Sequence, residues 1–584
     1  MKPPVLVLAA ATFLVPACSR TEEARAPQGA PPPATATPAR PQEPPGPPAP
    51  QVQQAVAGVL DSGRHPWLKW ADVSGVLEDL KALYGAEPDG LFWHAGETPH
   101  PALAGALEAI AGSDAMGFTP ADYDAAALAS RWKELAGGAP AASDRALFDV
   151  ALSASAMRLL QSAHWGRIDP RLVGFDYDVR EKRLDLASQL RAARDGGGLA
   201  AAVSAAEPQF PVYRRLVKAL AEYRALAAAE PAAVPALPAG KKKVEPGQPW
   251  AGATALAERL RAFGDLLADA PAPGAAPDGT PRYDGALVDA VKRFQARHAL
   301  EPDGVIGAGT LAVFNVPASA RVRQLELALE RERWLPEIGK EPMIFVNVPL
   351  FRLWAYDPEH PDEPLRMNVV TGKSLGHKTP IFTDEMEYVI FRPYWSPPPS
   401  IIRSEIVPKA RRDPSYIDRQ NMEIVASGSE TAPALPATPE NLDKVVAGKL
   451  FIRQKPGDKN SLGLAKFIFP NSENVYMHGT PAQSLFSRAR RDFSHGCIRL
   501  EDPARLAQWV LRHDAQWTPE RIAAAMNGER PTQVNLKQKL RVILFYDTAY
   551  VDSKGVVHFA DDYYGHDAKL EKALAAGYPY PRKS

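Results

Sequence analysis

Apolar residues recur at helical spacing through the first half of the chain and at strand spacing through much of the second. From about Ala55 to Leu226 the text is rich in Ala and Leu, with Leu77, Leu80 and Leu83, then Leu152, Ala156, Leu159 and Leu160, at helical intervals. That period gathers each set on one helix face and predicts a mainly helical domain over 55–226. Leu256, Leu260, Phe263 and Leu267 make another face, and Leu287, Val291 and Phe294 a third. Each of these two needs an apolar partner, so the two helices are expected to pack together. From Met343 the period becomes two, Ile344, Val346 and Val348 alternating with Phe345 and Asn347. Runs at 388–391, 449–453, 466–469, 475–477 and 540–546 extend the signal and predict a mixed or mainly β body. Residues 401–446 interrupt it with polar text and the loose stretch Ser427 to Pro439. Long loops within a compact domain tend to be lids, so this stretch reads as an insertion capping the β body.

Composition adds boundaries. At about 100–200 residues per domain, 584 residues make roughly three domains. Lys+Arg 68 against Asp+Glu 68 gives no global field for nucleic acid, which is not an expected partner. The 58 prolines are about twice the usual share, and two stretches are dense in them. One is 19–54, with Pro31-Pro32-Pro33 and Pro44-Pro45-Gly46-Pro47-Pro48; the other is 227–250, with Pro231, Pro235, Pro238, Gly240 and Lys241-Lys242-Lys243. Both read as linkers. The expected order is therefore a leader over 1–18, a Pro-rich linker over 19–54, the helical domain over 55–226, a second linker over 227–250, a small helical module over 251–316 and the β domain over 320–584.

There are only two cysteines, too few for a disulfide framework. Lys2, the apolar run Val5 to Val15, then Pro16, Ala17 and Cys18 follow the order of a secretory signal, and the run is too short for a span of about 20 residues. Val15-Pro16-Ala17-Cys18 resembles the bacterial lipoprotein signal, although Pro16 departs from that pattern. The resemblance implies a lipid on Cys18, a membrane anchor and work in the periplasm of a Gram-negative-type envelope. Ordinary secretion with cleavage near Ala17 is the plainer alternative.

The second cysteine carries the chemistry. It lies in Ser494-His495-Gly496-Cys497-Ile498-Arg499-Leu500, and His478-Gly479-Thr480 precedes it at the end of a strand candidate. A thiol attacks a carbonyl as its thiolate, and an imidazole that takes the proton is the simplest way to make one. Gly479 and Gly496 let backbone come close to a substrate, and N–H groups beside Cys497 are candidate donors to an oxyanion. The same residues admit blander readings: an inert core cysteine, a disulfide between Cys18 and Cys497, a zinc held by His478, His495 and Cys497, or a purely structural His495.

Two stretches resemble known families. Asp284-Gly285, Ala290-Val291-Lys292-Arg293-Phe294-Gln295, Leu300, Asp303-Gly304, Ile306-Gly307 and Thr310 are similar to the small three-helix peptidoglycan-binding module of cell-wall enzymes; a helical module that only packs and never touches glycan is the alternative. His-Gly followed by Ser-His-Gly-Cys resembles the signature of the L,D-transpeptidase (YkuD) family. Glu330-Arg331-Glu332-Arg333-Trp334-Leu335-Pro336, Thr371-Gly372-Lys373, Thr379-Pro380, Pro393-Tyr394-Trp395, Lys466-Phe467 and Phe469-Pro470-Asn471 belong to the pattern of its large periplasmic branch. That resemblance implies a multidomain protein: a helical scaffold domain, the small three-helix module, and a mainly-β catalytic domain whose capping insertion is 401–446. It implies acyl transfer on peptidoglycan stems, donor and acceptor, with release of D-Ala and formation of a 3→3 cross-link, and no cofactor or metal. Carried over by residue, Cys497 is the nucleophile, His478 the base, Gly479 the carbonyl that orients it, and Ser494, His495 and Gly496 complete the motif. Tyr476, Trp395 and Arg499 are implied substrate-binding positions. Water as acceptor would make a carboxypeptidase instead, and a relic β domain a mere wall tether.

Overall fold

The computed structural model describes residues 50–577 apart from 88–89, 339–340, 362 and 430, with backbone alone at 180. The leader, Cys18 and most of the first linker lie outside the described residues.

The helical part is built around a helix that is buried on every side. In α1 (Ala142–Trp165) all residues from Phe148 to Ala163 are buried. Its one acidic group in that run, Asp149, is satisfied by the amides of Phe92 and Trp93, the Tyr84 hydroxyl and the His94 ring, all at 2.8–2.9 Å, as a buried carboxylate must be. Shorter helices surround α1 and share its core. One of them, Pro50–Ser62, begins inside the stretch read as linker, because Val52, Val56 and Val59 form a buried face. The long α2 (Pro211–Ala228) closes this part.

The small module is three helices, α3 (Ala253–Ala262), α4 (Ala286–Arg297) and α5 (Ala308–Phe314), around Leu256, Leu260, Leu287, Val291, Phe294 and Phe314. Leu267 does not extend the α3 face: the chain turns at Gly264 (φ +78°), Leu266 is buried and Leu267 is 71% exposed. Part of the second linker is also built into this module. Val234 is buried, with both its amide and its carbonyl bonded to the Asn315 side chain (2.8 and 2.9 Å), and Lys243–Val244 pairs with Ile306–Gly307.

Helix α6 (Ala318–Glu332) and the residues after it tie the parts together. Glu330 accepts the amides of Arg167 and Ile168 at 2.5 and 3.0 Å, and Arg333 donates to the Tyr213 hydroxyl at 2.8 Å. Gly166 (φ +79°) is required there, since a Cβ would lie 2.5 Å from Trp334 Nε1. The Glu330–Pro336 motif is thus a domain junction.

The β body is a sheet of ten strands: β1 (Phe175–Asp176), β2 (Met343–Asn347), β3 (Arg352–Tyr356), β4 (Leu365–Gly372), β5 (Ile381–Phe391), β6 (Ala465–Ile468), β7 (Met477–His478), β8 (Asp492–Ser494), β9 (Ile498–Leu500) and β10 (Thr532–Phe545). The order is β6-β7-β9-β4-β3-β2-β10-β5-β1, β8 pairs with β4, and β5 pairs also with β6, so eight strands close on themselves. Ile344, Val346, Leu353, Met367, Val389, Phe467, Met477 and Ile498 fill one core with helices 503–510 and 519–527. Phe345, Trp354, Ile543 and Phe545 point the other way, into a core shared with the helical part. That double cover explains why β2 is buried almost throughout. β1 belongs in sequence to the helical half yet pairs in parallel with Ile381–Phe382.

The insertion has more structure than its polar text suggests. Its backbone is pinched at the base by two hydrogen bonds between Trp395 and Gln454 (3.1 and 2.7 Å), and it holds a three-stranded sheet and its own core of Ile406, Ile417, Ile424, Leu442 and Ile452.

Candidate active site

Strand alternation assembles the site. Phe467, Met477 and Ile498 point into the core from β6, β7 and β9, so their sequence neighbours point outward. Lys466 pairs with His478 across β6 and β7, and His478 with Arg499 across β7 and β9. Tyr476 and Cys497 lie two residues before His478 and Arg499, and the Ile498 amide donates to the Tyr476 carbonyl at 3.1 Å. Lys466, Tyr476, His478, Cys497 and Arg499 therefore share one outer face.

His478 is buried, and its Nδ1 lies 2.5 Å from the carbonyl of Gly479. A carbonyl only accepts, so the proton is on Nδ1 and Nε2 carries the lone pair. Burial, then the Arg499 charge, holds the His478 ring down to about 3, leaving it neutral at physiological pH. Gly479 is held in turn by its amide, which donates to the Ala465 carbonyl at 3.0 Å.

Cys497 follows a turn whose Gly496 has φ +117°, a conformation that favours glycine. Its thiol donates to the Asn474 carbonyl at 3.9 Å. No hydrogen bond joins it to His478 among the described residues. Burial pushes the thiol up, while Tyr476, Lys466 and Arg499 pull it down. Lys466 Nζ sits 3.9 Å from the centre of the Tyr476 ring, and that ring is 5.7 Å from His478. Arg499 forms no ion pair among the described residues, so its charge is available to a ligand carboxylate.

The rest of the motif is structural support. The Ser494 hydroxyl accepts the Gly496 amide at 3.1 Å. That spends the Gly496 N–H, one of the donors expected for an oxyanion, and leaves the Cys497 N–H without a backbone partner among the described residues. His495 Nε2 lies 3.1 Å from a carboxylate oxygen of Glu405 in the insertion, and its ring lies 4.5 Å from that of His377. It joins the cysteine turn to the cap. Trp395 stands apart: it packs on the core of the insertion, and no ring contact or hydrogen bond links it to Cys497 or His478.

Two supporting residues were not singled out by the sequence reading. Thr379 is buried; its hydroxyl donates to the Gly496 carbonyl at 2.8 Å and accepts the Gly372 amide at 2.9 Å. Tyr564 accepts the Thr379 amide at 3.1 Å and donates to the Gly372 carbonyl at 2.6 Å. Thr379-Pro380 marked only a family pattern, and nothing local announces that Tyr564, far along the chain, comes back to this turn.

Residues 341–536 match the family model of the L,D-transpeptidase catalytic domain, 78–220 that of a scaffold domain, and 252–314 that described as "Putative peptidoglycan binding domain". A protein of Haemophilus influenzae named "Putative L,D-transpeptidase" is 30% identical over 251 residues, 43% of this chain and 49% of the relative. The chain thus spans about half the length of that curated relative. The crystal structure of an L,D-transpeptidase from Xylanimonas cellulosilytica is similar at 14% identity, covering 53% of this chain and all of that one, with a TM-score of 0.16, too loose a superposition to carry an argument.

Proposed function

For a chain that carries an L,D-transpeptidase catalytic domain of the YkuD family, with a scaffold domain and a peptidoglycan-binding-type module beside it, we propose a cysteine-dependent L,D-transpeptidase that makes 3→3 cross-links in peptidoglycan. The observation that carries this reading is a thiol, Cys497, on the same sheet face as a neutral imidazole, His478, whose Nδ1 is pinned by the Gly479 carbonyl at 2.5 Å.

In the proposed reaction the Cys497 proton passes to His478 Nε2 as Sγ attacks the carbonyl carbon of the third residue of a tetrapeptide donor stem. The oxyanion that forms is met by the Cys497 N–H. Collapse breaks the amide bond; the terminal D-Ala leaves with the proton from His478, and a thioester remains on Cys497. The side-chain amine of a second stem then attacks the thioester, gives its proton to His478, and the thiolate leaves and is reprotonated. Arg499, paired with no carboxylate among the described residues, binds a stem carboxylate in this reading. Tyr476 favours the thiolate and shapes the donor site; Trp395 acts through the cap. The N-terminal signal fits a periplasmic enzyme held to a membrane by a lipid on Cys18, with the Pro-rich segment as spacer.

The experiment is incubation of the soluble protein with purified tetrapeptide muropeptides, read by mass spectrometry. Released D-Ala with dimers is the expected result; D-Ala with tripeptide monomers alone would make water the acceptor. No release from intact protein would overturn the reading.

A further inference from the structure

The neutral His478 leaves a question about charge. A thiolate in a site that burial makes unfavourable to ions needs a positive neighbour, and an imidazolium is the common source. Here the ring is held neutral by burial and by Arg499. The groups that face Cys497 from the elements around it are His478 on β7 and Tyr476 just before it, Lys466 on β6, Arg499 on β9, and, further out, His495 with Glu405 of the cap. Lys466 and Arg499 are the cations among these, and burial lowers the pKa of both while the Cys497 charge raises it again.

Lys466 is the unexpected one. It stands opposite His478 across β6 and β7, its side chain is half-buried, and no carboxylate is paired with it among the described residues. Its ammonium instead lies on the Tyr476 ring, 3.9 Å from the centroid, a cation–π contact that strengthens as the site loses water. The same tyrosine precedes β7 at the level of Cys497, whose next residue, Ile498, donates its amide to the Tyr476 carbonyl at 3.1 Å, and its hydroxyl favours the thiolate. An ammonium over the ring makes the phenol a better donor, so the lysine acts on the sulfur both through space and through the Tyr476 hydroxyl. A lysine kept in a partly dry site without a counter-ion costs stability, and a thiolate is the anion on this face that would offset it.

Resting on the reading of Cys497 as nucleophile, we propose that Lys466 is a positioning residue that, with the Tyr476 ring, supplies the positive charge stabilising the Cys497 thiolate.

The test needs no peptidoglycan. In the full chain, iodoacetamide alkylation of Cys497 is followed by mass spectrometry as a function of pH, for wild type, Lys466→Met, Lys466→Gln, Lys466→Arg and Tyr476→Phe. Met and Gln should each raise the pH midpoint by about one unit, which lowers the thiolate fraction near neutrality about tenfold. Arg should restore the wild-type midpoint, and Tyr476→Phe should shift it upward. An unmoved midpoint in folded Met or Gln variants would overturn the proposal, as would an Arg variant no better than Met, which would make the role one of shape. D-Ala release from donor stems, measured alongside, separates the two readings. A shifted midpoint in a protein that releases no D-Ala would leave the lysine's role standing and sink the transpeptidase; D-Ala release with an unmoved midpoint would do the reverse.

Discussion

Replacing Thr379 with Val tests whether the cysteine turn is held from behind. The substitution keeps the shape of the side chain and removes one oxygen. That oxygen donates to the Gly496 carbonyl at 2.8 Å and accepts the Gly372 amide at 2.9 Å, and all three residues are buried. Leaving a buried polar group unpaired costs about 1–3 kcal/mol, so two such groups, with some relaxation, should cost about 2–4 kcal/mol. The loss is local, because Tyr564 still bonds the Gly372 carbonyl and the Thr379 amide. It should therefore appear as easier opening of the turn. At about 1.4 kcal/mol per factor of ten, hydrogen exchange in a peptide covering 494–498 should quicken by roughly 30- to 1,000-fold, while peptides from α1 keep their protection. Acylation of Cys497 by a carbapenem, followed by intact mass, should slow in the same variant. Thr379→Ser keeps the oxygen and should stay close to wild type in both assays. Val and Ser variants indistinguishable from wild type would refute the reasoning; equal damage in both would show that the methyl, not the hydroxyl, supports the turn.

Other expectations are simpler. Cys497→Ala should fold and show no carbapenem adduct and no D-Ala release; turnover in that variant would exclude a cysteine mechanism. His478→Ala should slow acylation by about 100-fold or more, the usual scale of general acid–base catalysis, and a His495→Ala variant with the larger loss would reverse the assigned roles. Acid sensitivity follows from burial: His566 is held down to about 3 by desolvation and then the Arg331 charge, against 6.5 in the unfolded chain. The unfolded state binds more protons between those values, so stability is full above about pH 6.5 and falls as pH drops towards 3. Denaturant midpoints at pH 7 and pH 5 should differ less in His566→Phe than in wild type; an identical difference would contradict this.

What was legible in the sequence was what repeats or what is chemically rare. Helical and strand periods marked the helical half, the small module and the β body, and His-Gly followed by Ser-His-Gly-Cys, through its resemblance to a family signature, singled out His478 and Cys497. Alternation could have added Lys466, since it points the same way as His478 once Phe467 and Met477 are known to be core. What stayed hidden depends on contacts between distant segments. Val234 looks like linker until Asn315 takes both its backbone groups. Two residues, Phe175 and Asp176, are too few to read as a strand, and they are one only because Ile381–Phe382 lies beside them. The insertion's polar surface hid a small apolar core, because on so small a unit most positions face water. Glu405 carries no sign that it meets His495.

The order of strands has a consequence for how the protein matures. β10, at 532–545, lies between β2 and β5 in the sheet and pairs with both. Cys497 and its neighbours on β7 and β9 precede it in the chain, yet β2 and β5 cannot be bridged until it arrives. β1, by contrast, is made first and waits for its partner. A chain emerging from its amino end thus carries Cys497 before the sheet around it can close, and these non-local pairings make closure slow. The thiol's own neighbours on β6, β7 and β9 pair with one another without β10, so the closing strand completes the frame behind a face that is already synthesised.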